Sequence, residues 1–453
     1  SALSAPPRPI RTNLHALRNA ARKETRALAE ERAKHPFDDI ETAPLDYLPK
    51  AWSEPDGALQ DTVYEAYDLQ AIRIDGAAEH PTALVQSAAM ASVPPPVPTY
   101  RPVLPQSLIA DGLLSAPQFE SVIYAGNAHE THLKGWFKRG EIEGQVMAAS
   151  EGDNGAFRLR KGWFLGDGTG CGKGRQVAGI ILDNWLKGRR RAVWVSKSDK
   201  LIEDARRDWM ALGGRESDIV PLSKFRQGSD IRLPEGILFV TYATLRSAER
   251  DGKASRLDQV TSWLGEGFNG VIAFDESHAM ANAAGEKSDR GDKKASQQGL
   301  AGLALQNAVP DARVLYVSAT GATVVGNLAY ASRLGLWGTG DFPFVTRAEF
   351  VAAMEAGGIA AMEMISRDLK ALGLYLARSL SYAGVEYEML VHELTPAQIA
   401  IYDSYADAYQ IIHTNLEAAL QASGISSETG TLNPQAKSAA RSAFESNKQR
   451  FFN

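Results

Sequence analysis

The chain is predicted to be an α/β protein built on a mostly parallel sheet with helices on both faces. Three observations predict it. Short apolar runs alternate with amphipathic helical stretches from residue 104 onward. One such run, Gly162–Leu165, feeds a glycine-rich turn that opens a helix. Another, Gly270–Phe274, ends directly in two acidic residues. In a doubly wound sheet, ligands bind at the carboxyl ends of the strands, where both of these features fall.

Taken in order, residues 1–103 read as an N-terminal extension. Its start, 1–9, is rich in Ala and Pro, and 14–34 reads as a charged, solvated helix. Residues 36–105 show no clean period and close on Pro94-Pro95-Pro96-Val97-Pro98, an extended spacer that is either free or laid across a surface. Residues 104–380 form the sheet-containing lobe. Its strand-like runs are 162–165, 192–196, 236–241, 270–274 and 314–317, and its helical patterns include 117–133, 175–187, 200–212 and 299–308. The polar segment 281–298 reads as a surface loop. Residues 381–453 continue with a strand at 385–394 and helices at 395–421 and 436–452.

Composition narrows the function. Hydrophobic residues make up 44% of the 453 positions, which is enough for a full core, and the net charge of −5 gives no global attraction to nucleic acid. The single cysteine, Cys171, excludes an intramolecular disulfide and a cysteine-based zinc cluster, and fits a reducing, cytoplasmic compartment. No apolar run is long enough to cross a bilayer, and no signal-peptide profile is present. The eight histidines have no zinc-ligand spacing, and no Gly-x-Ser-x-Gly elbow occurs.

Residues 166–176, Gly-Asp-Gly-Thr-Gly-Cys-Gly-Lys-Gly-Arg-Gln, carry the chemistry. A strand, a glycine-rich turn and a helix N-terminus aim backbone N–H groups at one spot, which suits phosphate. Lys173 would then reach the β- and γ-phosphates of a nucleotide. Asp167, Gly168, Thr169, Gly170, Cys171, Gly172, Lys173, Gly174 and Arg175 are therefore candidate nucleotide contacts. Two positions depart from the common P-loop pattern: Asp167 stands where a glycine is usual, and Gly174 where a Ser or Thr would hold Mg²⁺. Thr169 is the candidate substitute for that hydroxyl.

Other candidates are placed by their position at strand ends. Asp275 would position Mg²⁺ through water, and Glu276 would orient or deprotonate the attacking water. Ser318-Ala319-Thr320, with His278, would relay the state of the nucleotide. Gln118 has an amide able to pair with N6 and N7 of adenine, which selects ATP. Ser196, Lys197, Thr241 and Tyr242 are candidate phosphate contacts for nucleic acid, with the basic run Lys187–Arg191 adding electrostatic attraction.

The segments 162–196, 270–282, 315–322 and 333–338 closely resemble the strawberry notch family of superfamily 2 helicase-like proteins. The likeness covers residues 85–453 and is nearest to bacterial and phage members that are often joined to a DNA methyltransferase. It implies a RecA-like P-loop NTPase using ATP and Mg²⁺, with Lys173 in motif I, Asp275 and Glu276 in motif II, and Ser318 and Thr320 in motif III. It implies a cytoplasmic, bacterial or phage-encoded translocase acting on DNA, whose second RecA-like lobe supplies an arginine finger. No Gln-x-x-Gly-Arg-x-x-Arg-like motif follows Thr320, so the chain reads as the first lobe alone, with weak hydrolysis expected. The alternative is a nucleotide-sensing module that turns over little and recruits a partner such as a methyltransferase.

Overall fold

The computed structural model describes residues 34–53, 64–140, 145–247, 254–281, 296–319, 328–338 and 342–422. The expected charged helix up to residue 33, most of the loop 281–298, Thr320 and the expected helix 436–452 lie outside the described residues.

The chain forms two compact units, 1–284 with 295–381, and 285–294 with 382–453. The first unit holds helix α1 (Ala116–His129), strand β1 (Trp163–Leu165), α2 (Lys173–Leu186), β2 (Arg191–Ser196), α3 (Ile202–Ala211) and β3 (Ile219–Pro221). It continues with β4 (Gly236–Thr241), α4 (Arg256–Leu264), β5 (Val271–Asp275), α5 (Gln297–Ala308), β6 (Arg313–Val317), α6 (Arg347–Ala371) and β7 (Tyr375–Leu376). The seven strands form one sheet in the order β3-β4-β2-β5-β6-β1-β7, with every pairing parallel. This is the α/β, RecA-like arrangement expected. Every residue of β1, β4 and β6 is buried. That explains why their sequences are continuous apolar runs rather than alternating ones.

The five strand-like runs of the sequence are β1, β2, β4, β5 and β6 to within a residue at each end. Strands β3 and β7 carry three and two residues, too few to show a period. The strand expected at 385–394 is instead irregular backbone. Its alternating sequence suits a ladder, but among the described residues it has no partner strand to satisfy its N–H and C=O groups. The second unit's described helix, α7 (Pro396–Ala422), agrees with the expected 395–421.

The described part of 34–103 belongs to the same unit as the sheet. Phe37, Leu45, Tyr47 and Ile72 enter the same apolar core as the strands. The Pro-rich piece is laid across this unit and fixed by tyrosines. Tyr124 donates to the Pro96 carbonyl (2.7 Å), and Tyr47 donates to those of Pro98 (3.0 Å) and Tyr100 (2.9 Å). Asp183 of α2 accepts from the Tyr100 hydroxyl and, at 2.7 Å, from Val103 N–H. A segment with no period of its own is thus ordered by side-chain bonds to two helices.

Register sets the functional edge. Leu165 of β1 pairs with Val317 of β6, and Val317 with Asp275 of β5. The glycine-rich loop, Ser318 and the acidic pair therefore leave the sheet side by side.

One buried group makes the fold acid-sensitive. His129, at the end of α1, is 1% exposed and donates from Nε2 to the Val314 carbonyl of β6 at 2.9 Å. Burial pushes its pKa from 6.5 down to about 3, more than the Val314 carbonyl raises it. The unfolded chain therefore binds a proton that the folded chain refuses, so stability falls as pH drops below 6.5 toward 3. The expected loss from this residue between pH 7 and pH 5 is about 2 kcal/mol. Urea unfolding at the two values should show this loss, and His129→Gln, which keeps a donor, should flatten it.

Candidate nucleotide-binding site

The loop between β1 and α2 is a P-loop in geometry. Gly172 caps α2 with a left-handed backbone (φ 76°, ψ 39°), a conformation that glycine adopts without steric cost. A Cβ at Gly172 would overlap Nε2 of Gln118, so that amide lies directly against the loop. Its Oε1 accepts from Ser115 N–H at 2.9 Å, which fixes the side chain at the start of α1. Lys173 donates to the Gly168 carbonyl across the loop at 3.1 Å. Thr169 and Gly170 form its exposed tip.

Asp167 and Cys171 face inward rather than toward a ligand. Both Asp167 carboxylate oxygens are taken. Oδ1 accepts from Arg378 N (2.9 Å) and Nε (3.0 Å), and Oδ2 from Arg378 Nη2 (2.8 Å) and Gln176 Nε2 (3.0 Å). Asp167 therefore anchors the loop, and its side chain has no capacity left for nucleotide. Cys171 is 1% exposed, its Sγ lies against the Arg378 carbonyl at 3.5 Å, and burial pushes its thiol up to about 11. Only its backbone is left to the loop.

Arg378 is the residue that sequence reasoning missed here. Beyond Asp167 it donates to the Pro117 carbonyl (2.6 Å), Glu120 (3.2 Å), Ser121 (2.7 Å) and Gln176 (2.9 Å). Glu120 also accepts from the Tyr67 hydroxyl. A buried Asp at position 167 calls for a cation, but nothing local in the sequence says which of many arginines supplies it.

The acidic pair lies beside the loop. Asp275 Oδ1 accepts from Glu276 N–H (2.9 Å), and Oδ2 faces Trp194 Nε1 at 3.4 Å. Burial and the Glu276 charge push Asp275 up to about 6, with Trp194, the Glu276 amide and Lys173 pulling the other way. Glu276 has a left-handed backbone (φ 49°), unique for a non-glycine among the described residues. Backbone of this kind costs a non-glycine residue about 1–3 kcal/mol and persists only where its surroundings fix it. Nδ1 of His278 lies 3.2 Å from both Glu276 Oε2 and Ser318 Oγ, so the acidic pair and the end of β6 are physically joined. Ser318 is buried and Ala319 half-buried.

Three of the four nucleic-acid candidates are not displayed. Ser196 is fully buried. Thr241 spends its hydroxyl capping a short helix through Thr244 N–H at 3.1 Å. Tyr242 stacks on Phe274 and donates to the Asp275 carbonyl at 2.8 Å, so it supports the acidic pair from beneath. Lys197 alone of the four is exposed. The basic run is also committed elsewhere, at the amino end of β2. Lys187 pairs with Asp183, Arg190 with Asp38 and Glu235, and Arg191 donates to the Pro234 and Trp263 carbonyls.

Gly174 leaves room for Asp208 of α3, whose Oδ2 a Cβ at that glycine would overlap. Arg175 holds Asp208 Oδ1 at 3.3 Å and donates to the Leu113 carbonyl at 3.1 Å. The residue closest to the missing hydroxyl is thus an acid on a different helix.

Residues 79–404 match the family model described as P-loop containing NTP hydrolase pore-1. Mouse protein strawberry notch homolog 2 is 41% identical over 72% of this chain and 22% of its own length. Chicken strawberry notch homolog 1 is 39% identical over 68% of this chain and 23% of its own, and Arabidopsis thaliana protein FORGETTER 1 is 35% identical over 75% and 24%. This chain is a P-loop NTPase of the strawberry notch family. The family chain spans less than a quarter of the length of these three relatives. The relatives come from animals and a plant, which overturns the expectation of a bacterial or phage chain. Among solved structures, a Sulfolobus solfataricus SWI2/SNF2 ATPase core in complex with dsDNA aligns over 58% of this chain and 52% of that chain. The identity is 15% and the TM-score 0.33.

Removing the loop's anchor should unfold the site. Arg378→Met leaves the carboxyl groups of Asp167 and Glu120 buried and short of a cation. A loss of about 3–5 kcal/mol is expected for breaking a buried pair from one side. Chemical denaturation of the variant against wild type measures it.

Proposed function

We propose that this chain is the ATP-binding lobe of a superfamily 2 motor that couples hydrolysis to movement on DNA. The observation that carries the proposal is the shared edge. The P-loop, the acidic pair and Ser318 leave three adjacent parallel strands in register, and His278 bridges the last two.

In this reading Lys173 gives up the Gly168 carbonyl and turns its ammonium to the phosphates, while the loop N–H groups and the α2 N-terminus complete the cradle. Gln118, already against Gly172, takes the adenine edge. Mg²⁺ fits the donor set, since Asp275 is a partly buried carboxylate beside a second acid, and a cation relieves both. Mg²⁺ held there would supply positive charge against the negative charge that develops on the phosphates in transfer. Asp275 would hold it through water. Glu276, aimed by its strained backbone, would orient the attacking water and take its proton. His278 and Ser318 would pass the state of the acidic pair to the end of β6, with Thr320 and Ala319 in the same segment.

Movement needs a second RecA-like lobe closing on the nucleotide with an arginine finger, worth about 10³–10⁵ in rate. DNA would lie across the strand ends near Lys197, held through its phosphates. The rival reading, a sensing module that recruits a methyltransferase, drew its support from the absent hydroxyl at Gly174. Asp208 at that position weakens its basis.

Lys173→Ala should weaken ATP binding about 10- to 100-fold, the value of a charge-assisted bond to phosphate. Equilibrium titration checks it, and unchanged affinity would refute the loop assignment. Glu276→Gln should keep ATP binding and slow hydrolysis about 10²–10⁴-fold in a chain joined to a second lobe. Hydrolysis in that two-lobe chain should rise on titration with double- or single-stranded DNA at fixed salt. A DNA-independent rate would favour the sensing module.

A further inference from the structure

Gly174 is the second residue of α2, and its missing side chain leaves no empty space. A Cβ built there would overlap Asp208 Oδ2 and stand 3.3 Å from Asp208 Cγ. Asp208 belongs to the second turn of α3, which packs beside α2. An oxygen from a neighbouring helix therefore occupies the volume that the first side-chain atoms of a Ser or Thr at 174 would fill.

The two oxygens of this carboxylate differ. Oδ1 is held by Arg175 Nε at 3.3 Å, and Arg175 is itself anchored to the Leu113 carbonyl. Oδ2, the atom against Gly174, accepts no hydrogen bond among the described residues. The side chain is 19% exposed, so it is neither solvated like a surface acid nor fully paired like a core one.

We propose that Asp208 is a protein ligand of the Mg²⁺ that accompanies the nucleotide, its Oδ2 taking the place of the hydroxyl absent at Gly174. The proposal rests on the ATP–Mg²⁺ reading above. Mg²⁺ is a hard cation that takes one or two carboxylates together with phosphate oxygens and waters. Such a cation needs no cage of three or more protein ligands, and none occurs among the described residues; the proposal assigns one of its carboxylates to Asp208. Arg175 would act as the positioning residue, holding one oxygen so that the other faces the loop.

Exchanging a neutral hydroxyl for a carboxylate has a consequence that a structural pin lacks. Without the cation, Asp208 repels the phosphates. With it, Asp208 holds them through the metal. Nucleotide affinity should therefore depend on Mg²⁺ more steeply than in a hydroxyl-bearing P-loop.

The test measures binding of a fluorescent ATP analogue in Mg²⁺ and in EDTA, for wild type, Asp208→Asn and the double variant Gly174→Ser/Asp208→Ala. In Asp208→Asn, affinity in Mg²⁺ should fall about tenfold or more, while affinity in EDTA stays equal or improves. The double variant, in which a serine fills the vacated space, should recover enhancement by Mg²⁺. An Asp208→Asn enhancement within about twofold of wild type overturns the proposal, as does an equal loss in both conditions, which marks a pin between helices. If Asp208→Asn does not fold, the double variant decides: recovered enhancement supports the proposal, and absent enhancement overturns it. Wild type that binds no nucleotide in either condition overturns the ATP reading as well. Wild type that binds normally beside an unchanged Asp208→Asn overturns only the role of Asp208.

Discussion

The candidate site depends on one buried ion pair, Asp167 with Arg378. It joins the first turn of the loop to a residue 211 positions later, just beyond the edge strand β7. Four donors saturate the Asp167 carboxylate, and the remaining guanidinium hydrogens reach α1 and α2. Gln176 closes the ring by donating to both Asp167 and the Cys171 carbonyl. The loop therefore has a fixed floor before any ligand arrives, and its open side is left to backbone, Lys173 and the glycines. Burying two carboxylates and a guanidinium costs several kcal/mol per ion in desolvation, and only this degree of hydrogen bonding offsets it. What the arrangement contributes is position rather than net stability.

The parallel sheet then brings the chemistry to this floor. Because β1, β6 and β5 are adjacent and in register, three segments far apart in sequence emerge within a few ångströms of one edge. Apolar strands buried on both faces hold that edge rigid, with Phe164, Tyr316 and Phe274 in contact across neighbouring strands. Above them the polar groups are coupled: Trp194 and Tyr242 support Asp275, and His278 stands between Glu276 and Ser318. The acidic pair and the end of β6 are thus joined through one side chain, His278.

Much of this was legible in the sequence, and the reason is local. A strand buried on both faces reads as an unbroken apolar run, so five strands could be placed from residue types alone. The loop and the acid pair stand directly after such runs, so their place at the strand ends could be read from residue types alone. Where the pattern is short or ambiguous, the reading failed. Strand β7 has two residues, and Val385–Leu394 alternates like a strand but has no described partner.

What the sequence by itself determined is the sheet, its helices and the position of the loop, because these follow from periodicity and from backbone geometry at glycine. What only the tertiary structure decided is how side chains from distant segments divide the work. Asp167 looked like a ligand contact and is an anchor, since Arg378 folds back onto it. Tyr242 and Ser196 looked like surface contacts and are buried, Tyr242 stacked on Phe274 of β5. Gly174 looked like a missing hydroxyl and is a place made free for Asp208. Each of these depends on a through-space meeting of charges or volumes from segments far apart in the chain, and no local pattern of residues encodes such a meeting.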